Sequence, residues 1–408
     1  MEVLYRRAAG LDVHKDTVVA CARVSQGGKA EQVVETFATT TKGLLALAEW
    51  LSAHGCTHVA MEATGVYWKP VWHVLEGQFE LVLANAMHVR NVPGRKTDVN
   101  DAMWIADLLA HGLIRGSFVP PEPIQHLRDL TRTRKQFVRE VARHLQRIQK
   151  ALEDANIKLT GLVTNLLGAS GRAIIRALIA GETDPERLAD LAQGRLKVKR
   201  AALIEALRGR ITDHHRFLLK LHLGQIEALE KACEEIEAQM GKSLEPLRAK
   251  AELLKTMPGV SEIVAQVILA EIGPDMSRFP TDGHLISWAG LCPRNDESAG
   301  KRRSTRVRPG APWLKTMLVQ AAWAAARSRN TYLRAQFLRL KSRRGPKKAI
   351  LAVAASMLTA AYHMLRNDVP YQDLGPLHFD RRDKLKLVNR LLRRVADLGF
   401  QVEIRPAA

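Results

Sequence analysis

The first hundred residues carry short apolar runs broken by turns, and the remainder carries apolar positions at helical spacing. Ala8 to Val13 is apolar but for Asp12. After His14-Lys15-Asp16 comes the β-branched run Thr17-Val18-Val19, so residues 5 to 24 read as two strands joined by a tight turn. Gln32 to Thr40 reads as a third strand, Gly43 to Trp50 as an amphipathic helix, His58 to Glu62 as a fourth strand and Leu81 to Ala84 as the next. Arg95 to Ala102 opens a helix that runs to about Leu109.

Pro120-Pro121-Glu122-Pro123 punctuates the chain, and a long helix is expected from about Ile124 to Asn156. Leu127, Leu130, Phe137, Val141, Leu145, Ile148 and Leu152 form its apolar stripe, and arginines cover the other faces. A stripe of this kind needs a partner helix. Ile226, Leu229, Cys233, Ile236 and Met240 follow a 3,4 alternation among glutamates, so this acidic helix is expected to pair with the basic one, within the chain or across a dimer. Residues 160 to 212 read as short helices with Gly-containing turns and suggest no role.

Near Leu253 a further unit begins as helix, Pro258-Gly259 hairpin, helix, and a turn of that kind can offer backbone N–H groups to a phosphate. A helix over Gly283 to Ala289 follows. Trp313 to Ala326 is apolar almost all round and is expected to be buried, with Ala349 to Leu365 beside it. The tail from Asp373 reads as an oligomerisation arm or a disordered extension. The domains expected are therefore 1–120, 121–252 and 253–372, with a tail at 373–408.

Composition narrows the partner. Within 408 residues, 62 lysines and arginines face 42 aspartates and glutamates, and the net charge of +20 points to a polyanion. Nucleic acid comes first and an anionic membrane second. No run of about 18 consecutive apolar residues occurs, and the N-terminus lacks the apolar core of a signal peptide, so a cytoplasmic protein is expected. Four separated cysteines form no C-x-x-C pair and indicate neither a zinc site nor disulfides.

The candidate chemistry lies in the acids and in one serine. Asp12 and Glu62 stand in strands that otherwise read as buried, which is costly for a carboxylate unless something binds it. Asp98 and Asp101, at i and i+3, share a helical face roughly 5 to 6 Å apart at Cβ, and a divalent cation would remove their repulsion. The bland alternative makes Asp98 a helix cap with Asp101 reaching back. Together, on a β-β-β-α-β-α order, these acids match a two-metal nuclease of the ribonuclease H type, and all-oxygen ligands favour Mg²⁺ or Mn²⁺. Ser298 sits beside Ala299-Gly300 and ahead of Lys301, Arg302, Arg303, Arg306 and Arg308, whose guanidinium forks suit phosphate oxygens. No His or Lys base stands next to it in a recognisable arrangement, so metal coordination is the expected activator.

Gly10-Leu-Asp-Val-His-Lys15, Met61-Glu-Ala-Thr-Gly-Val-Tyr-Trp68, Lys96-Thr-Asp-Val-Asn-Asp-Ala102, Met257-Pro-Gly-Val260, Trp288 to Pro293 and Ser298-Ala-Gly300 resemble, in order, the motifs of the DEDD-type insertion-sequence transposases. That family includes pilin-gene invertases and bridge-RNA-guided recombinases. The resemblance implies an α/β N-terminal ribonuclease H/RuvC-like domain, a helical coiled-coil connector, and a mostly α C-terminal transposase domain with a helix-hairpin-helix-like unit. It puts the acidic tetrad on Asp12, Glu62, Asp98 and Asp101, and the nucleophile on Ser298. Here Ala299 stands between serine and glycine where many relatives have Ser-Gly, and Ser304 is the fallback. It further implies a phosphoserine intermediate, a structured guide RNA, donor and target DNA, and dimers assembling to a tetramer.

Two other readings fit the same residues: a junction nuclease that uses water, and a non-catalytic RNA- or DNA-binding protein. In each of the three, replacing Arg134, Arg139 and Arg143 together is expected to weaken RNA or DNA binding at fixed salt, checked by equilibrium titration. Unchanged affinity would remove these arginines from the interface.

Overall fold

The computed structural model describes residues 2–26, 29–63, 65–84, 89, 101–293, 296–304, 306–307, 310–382 and 384–402, with the backbone alone at 296–298, 302–303 and 386–387. The chain divides into two compact units, Met1–Val119 and Pro120–Ala408. The first is a mixed α/β unit and the second is mostly helical.

In the first unit β1 (Arg7–Val13), β2 (Thr17–Gln26), β3 (Lys29–Ala38), β4 (His58–Glu62) and β5 (Glu80–Ala84) form one sheet in the order β3-β2-β1-β4-β5. β1, β2 and β3 are antiparallel neighbours, whereas β4 runs parallel to both β1 and β5. Strand alternation divides the residues between two faces. Ala9, Leu11, Val13, Val59 and Met61 point to one side, where α1 (Thr41–Ala53) and α2 (Trp68–Leu75) cover them with Leu44, Leu47, Leu51, Val71 and Leu75. Ala8, Ala60, Ala84 and Cys21 point to the other side, under α3 (Asp101–Ala110).

The small size of that second face has a reason. A Cβ on Gly10 would stand 2.2 Å from the Ala102 carbonyl oxygen and 2.4 Å from the Ala106 amide nitrogen, so only glycine lets α3 lie this close to β1. At the far end of α3 the Ala110 carbonyl accepts hydrogen bonds from the Leu4 and Tyr5 amides, which fixes the helix antiparallel to β1. A buried arginine holds the helix laterally: Arg23 Nε donates to Asp107 Oδ1 at 2.7 Å from a side chain that is 7% exposed.

The second unit is organised by α4 (Glu122–Asp154), which packs along α8 (Asp213–Leu244). The pair is antiparallel: Arg134 meets Glu237 near one end, His144 meets His222 midway, and Asp154 meets His215 at the other. The acidic helix thus pairs with the basic one inside the chain. Residues 160 to 212, which suggested no role, form α5 (Ala169–Ala180), α6 (Pro185–Asp190) and α7 (Arg200–Leu207). Ile174, Ile175, Leu178, Leu188 and Leu203 enclose Ile148, Leu152, Leu219 and Leu223, so this segment caps one end of the long pair with a core of its own.

At the other end lie α9 (Arg248–Lys255), α10 (Glu262–Ile272), α11 (Asp282–Trp288), α12 (Pro312–Ala325), α13 (Tyr332–Arg344) and α14 (Pro346–Asn367). The Pro258-Gly259 turn has a packing role. A Cβ on Gly259 would lie 2.4 Å from the Ala321 carbonyl oxygen of α12, so glycine lets the turn lie against that helix. Helix α12 corrects the expectation of burial all round. It buries Leu314, Leu318, Ala321, Ala322 and Ala325 on one side while Trp323 is 38% exposed, because small alanines let a single face approach its neighbours closely. Among the described residues α14 is the one helix long and apolar enough to cross a membrane, and 56% of its most apolar window is buried inside the unit. The tail folds as α15 (His378–Arg382) and α16 (Lys384–Asp397), with Phe379 stacked on Tyr332.

Helix α4 is tied to this end by an ion pair. Glu271 is 1% exposed and receives both Arg132 Nε and Arg132 Nη2, at 2.8 and 2.9 Å, while Arg128 donates to the Ala270 and Glu271 carbonyls. Leaving such a carboxylate unpaired costs about 3–5 kcal/mol.

Gly10→Ala is expected to destabilise the first unit by about 1–3 kcal/mol, the range for forcing extra atoms into a packed core. A thermal melt followed by circular dichroism checks this. An unchanged melting temperature would mean that the helix does not need the glycine.

Candidate functional site

Three of the four candidate acids come to one edge of the sheet. β1 and β4 are in register up to Leu11 opposite Met61, so Asp12 and Glu62 each stand one residue beyond, on adjacent parallel strands and on the same face. That face is the one covered by α3. Because α3 runs antiparallel to β1, with Ala102 over Gly10, its first residue, Asp101, is delivered to the same edge. Asp98 lies outside the described residues. Asp12 is half-buried, and its Oδ2 sits 3.2 Å from Nε2 of the exposed His14, so an imidazole shares this edge.

Among the described residues no three His, Cys, Asp or Glu side chains gather around a single ion position. The donor chemistry fits a hard divalent cation, since the acids brought together offer carboxylate oxygen alone. Sequence pattern identified these acids. Gly10, which brings the helix carrying Asp101 down to the strands, was read only as part of a motif.

In the second unit Ser298 ends β6 (Asp296–Ser298) and pairs with Lys301 at the start of β7 (Lys301–Ser304). The expected loop is therefore a hairpin. Its two turn residues have positive φ, 51° at Ala299 and 70° at Gly300, the signature of a type I′ connection. For Gly300 this conformation is ordinary, but for Ala299 it costs about 1–2 kcal/mol. The register shifts between Asp296 and Glu297, so the short strand is also bulged. Ser304 has a different situation: its Oγ accepts the Arg306 amide at 3.2 Å, which ties it to its own turn.

The basic candidates separate by what holds them. Lys301 and Arg306 are exposed, Arg302 and Arg303 are described by backbone alone, and Arg308 lies outside the described residues. On α4, Arg134 Nε donates to Glu237 at 2.7 Å, Arg143 pairs with Glu140 one turn away, and the Arg139 guanidinium lies 5.1 Å from the Trp313 ring centroid. Arg134 thus also ties α4 to α8, and Arg139 is positioned by an aromatic ring. One neighbour was missed: Trp313, read only as a helix start, whereas Lys135 was read among the cations of the long helix. No local pattern announces that Arg139 and Trp313, 174 positions apart, will meet.

Two family models match this chain. One is a transposase model of the DEDD, IS110 type and covers residues 9–157; the other, described as the transposase IS116/IS110/IS902 family, covers residues 251–338. The pilin gene-inverting protein of Moraxella bovis is 23% identical over 379 residues, which is 89% of this chain and 96% of that protein. A transposase for insertion sequence element IS1533 from Leptospira borgpetersenii is 25% identical over 77% of this chain and 84% of its own length. An insertion element IS110 protein of 43.6 kDa from Streptomyces coelicolor is 31% identical over 37% of each chain.

Ala299→Gly is expected to raise the melting temperature, since glycine takes up this conformation without the steric penalty, for a gain of about 1 kcal/mol or less after its greater entropy loss. A fall in stability would mean that the alanine side chain is held by contacts that outweigh the strain.

Proposed function

Because this chain belongs to the IS116/IS110/IS902 family of transposases, we propose that it moves its insertion sequence by serine-nucleophile strand exchange assisted by Mg²⁺ and guided by a structured RNA. It is a DNA transposase, its substrates are DNA, and transposases of the DEDD type commonly use divalent metals.

The observation that carries the proposal is the delivery of Asp12, Glu62 and Asp101 to one edge of a sheet ordered β3-β2-β1-β4-β5. Three antiparallel strands followed by two parallel ones, with acids at the ends of β1 and β4, support a RuvC-like fold for the first unit. Asp12, Glu62, Asp98 and Asp101 are the residues that would hold Mg²⁺, with Mn²⁺ as a substitute. The ion would supply activation of the attacking oxygen and stabilisation of the leaving oxygen.

Ser298 Oγ attacks a DNA phosphorus. The Oγ–P bond forms, one P–O ester bond breaks, the serine gives up its proton, and the departing strand oxygen takes one. Reversal by the hydroxyl of a different strand exchanges the DNA and restores the serine. Lys301, Arg302, Arg303, Arg306 and Arg308 hold the phosphate oxygens during this transfer. A net charge of +20 supports binding of both DNA and a guide RNA, and Arg134, Arg139 and Arg143 belong to that surface. The chain works as a dimer that assembles to a tetramer.

The test is covalent attachment. Purified protein with Mg²⁺, its cognate RNA and labelled donor and target DNA should yield a protein–DNA adduct that survives denaturation, and Ser298→Ala should abolish it. Strand cleavage that persists in the alanine variant with no adduct in either protein would replace this reading with water-driven hydrolysis.

A further inference from the structure

One cleft of the second unit lies between α4, α10 and α12, with Met240 of α8 closing its end. Ile263, Val267 and Met317 form an apolar back wall, and Arg132, Arg134, Lys135 and Arg139, from successive turns of α4, supply the cationic rim with Trp313 facing them. Two of these cations are neutralised: Arg132 by Glu271 and Arg134 by Glu237. Lys135 and Arg139 have no carboxylate within ion-pair distance among the described residues. Burial and the neighbouring Arg139 and Arg134 charges hold the Lys135 ammonium below its ordinary pKa, the expected penalty for a desolvated cation among like charges.

An unpaired ammonium kept in such a place opposes folding, and an anion would relieve it. The inner space is about 20 Å³, enough for one oxygen. Arg139 is held over the Trp313 ring at 5.1 Å, with Arg132 5.8 Å from the same ring, so one guanidinium plane is preset at the mouth. We propose that this cleft receives one phosphodiester oxygen of a nucleic-acid strand, with Lys135 and Arg139 as its ligands and Trp313 as the residue that positions Arg139. The proposal rests on the reading that this chain binds nucleic acid along α4. It adds Lys135 and Trp313 and reduces the contact to a single phosphate with the strand running outside.

The experiment titrates labelled single-stranded RNA and duplex DNA with the full-length protein across a range of salt. Lys135→Met should make the plot of log affinity against log salt shallower by about 0.7 for the single strand or about 0.9 for the duplex, and the arm that changes identifies the strand. The same variant should melt no lower than the parent, because it removes an unpaired cation. Trp313→Leu should weaken binding, and Trp313→Phe, which keeps a ring under Arg139, should restore it. An unchanged salt slope for Lys135→Met with both nucleic acids, as for a cleft that holds only water, overturns the proposal while leaving the transposase reading intact. Failure of the parent protein to bind either nucleic acid overturns both.

Discussion

The absence of a side chain at position 10 governs the first unit. Helix α3 approaches β1 until the Ala102 carbonyl occupies the space of a Cβ, and the alanines of both elements complete the contact. A larger residue would lift the helix, and Asp101 would move with it, away from the strand ends that carry Asp12 and Glu62. Two carboxylates on adjacent parallel strands are fixed by backbone hydrogen bonds. The third rides on a helix whose depth is set by close contact at Gly10, with the Leu4 and Tyr5 amides and Arg23 holding its direction and its side.

The second unit uses charge for a similar purpose. Glu271 stands in a helix whose neighbours Val267, Ile268, Leu269, Ala270 and Ile272 are buried, and a carboxylate there is tolerable only with its arginines in place. Arg128 and Arg132 also donate from one segment of α4, so their alignment with α10 sets the rotation of α4 about its axis. That rotation decides which of its remaining cations face the cleft beside Trp313 and which face solvent.

Periodicity made much of this legible. The five strands of the sheet, the long basic helix and its acidic partner follow from alternation and from 3,4 spacing, although the acidic helix begins at Asp213, well before the Ile226 at which its spacing was recognised. The acids at the ends of β1 and β4 were visible because a charge in an apolar run is expensive. What escaped were features created by pairs distant in sequence: Arg23 with Asp107, Arg132 with Glu271, and Arg139 with Trp313. The packing of the Pro258-Gly259 turn was hidden for the same reason, since a free glycine turn and one pressed against another helix have the same local sequence. Helix α12 looked buried all round because alanine counts as apolar, although it needs little burial to be content at a surface.

The two family models divide the chain at a different place from its compact units. The first runs to residue 157, past the boundary at Val119 and through the whole of α4, whereas α8 lies between the two models and α10 belongs to the second. The helix covered by the same family model as the acidic unit is therefore the one that folds as the spine of the other. A hybrid assembled from two relatives and joined just after α4 would bring in a foreign helix and ask it to satisfy the resident Glu271. Glu271 would keep its partners only where the incoming helix also carried arginine at the positions of Arg128 and Arg132.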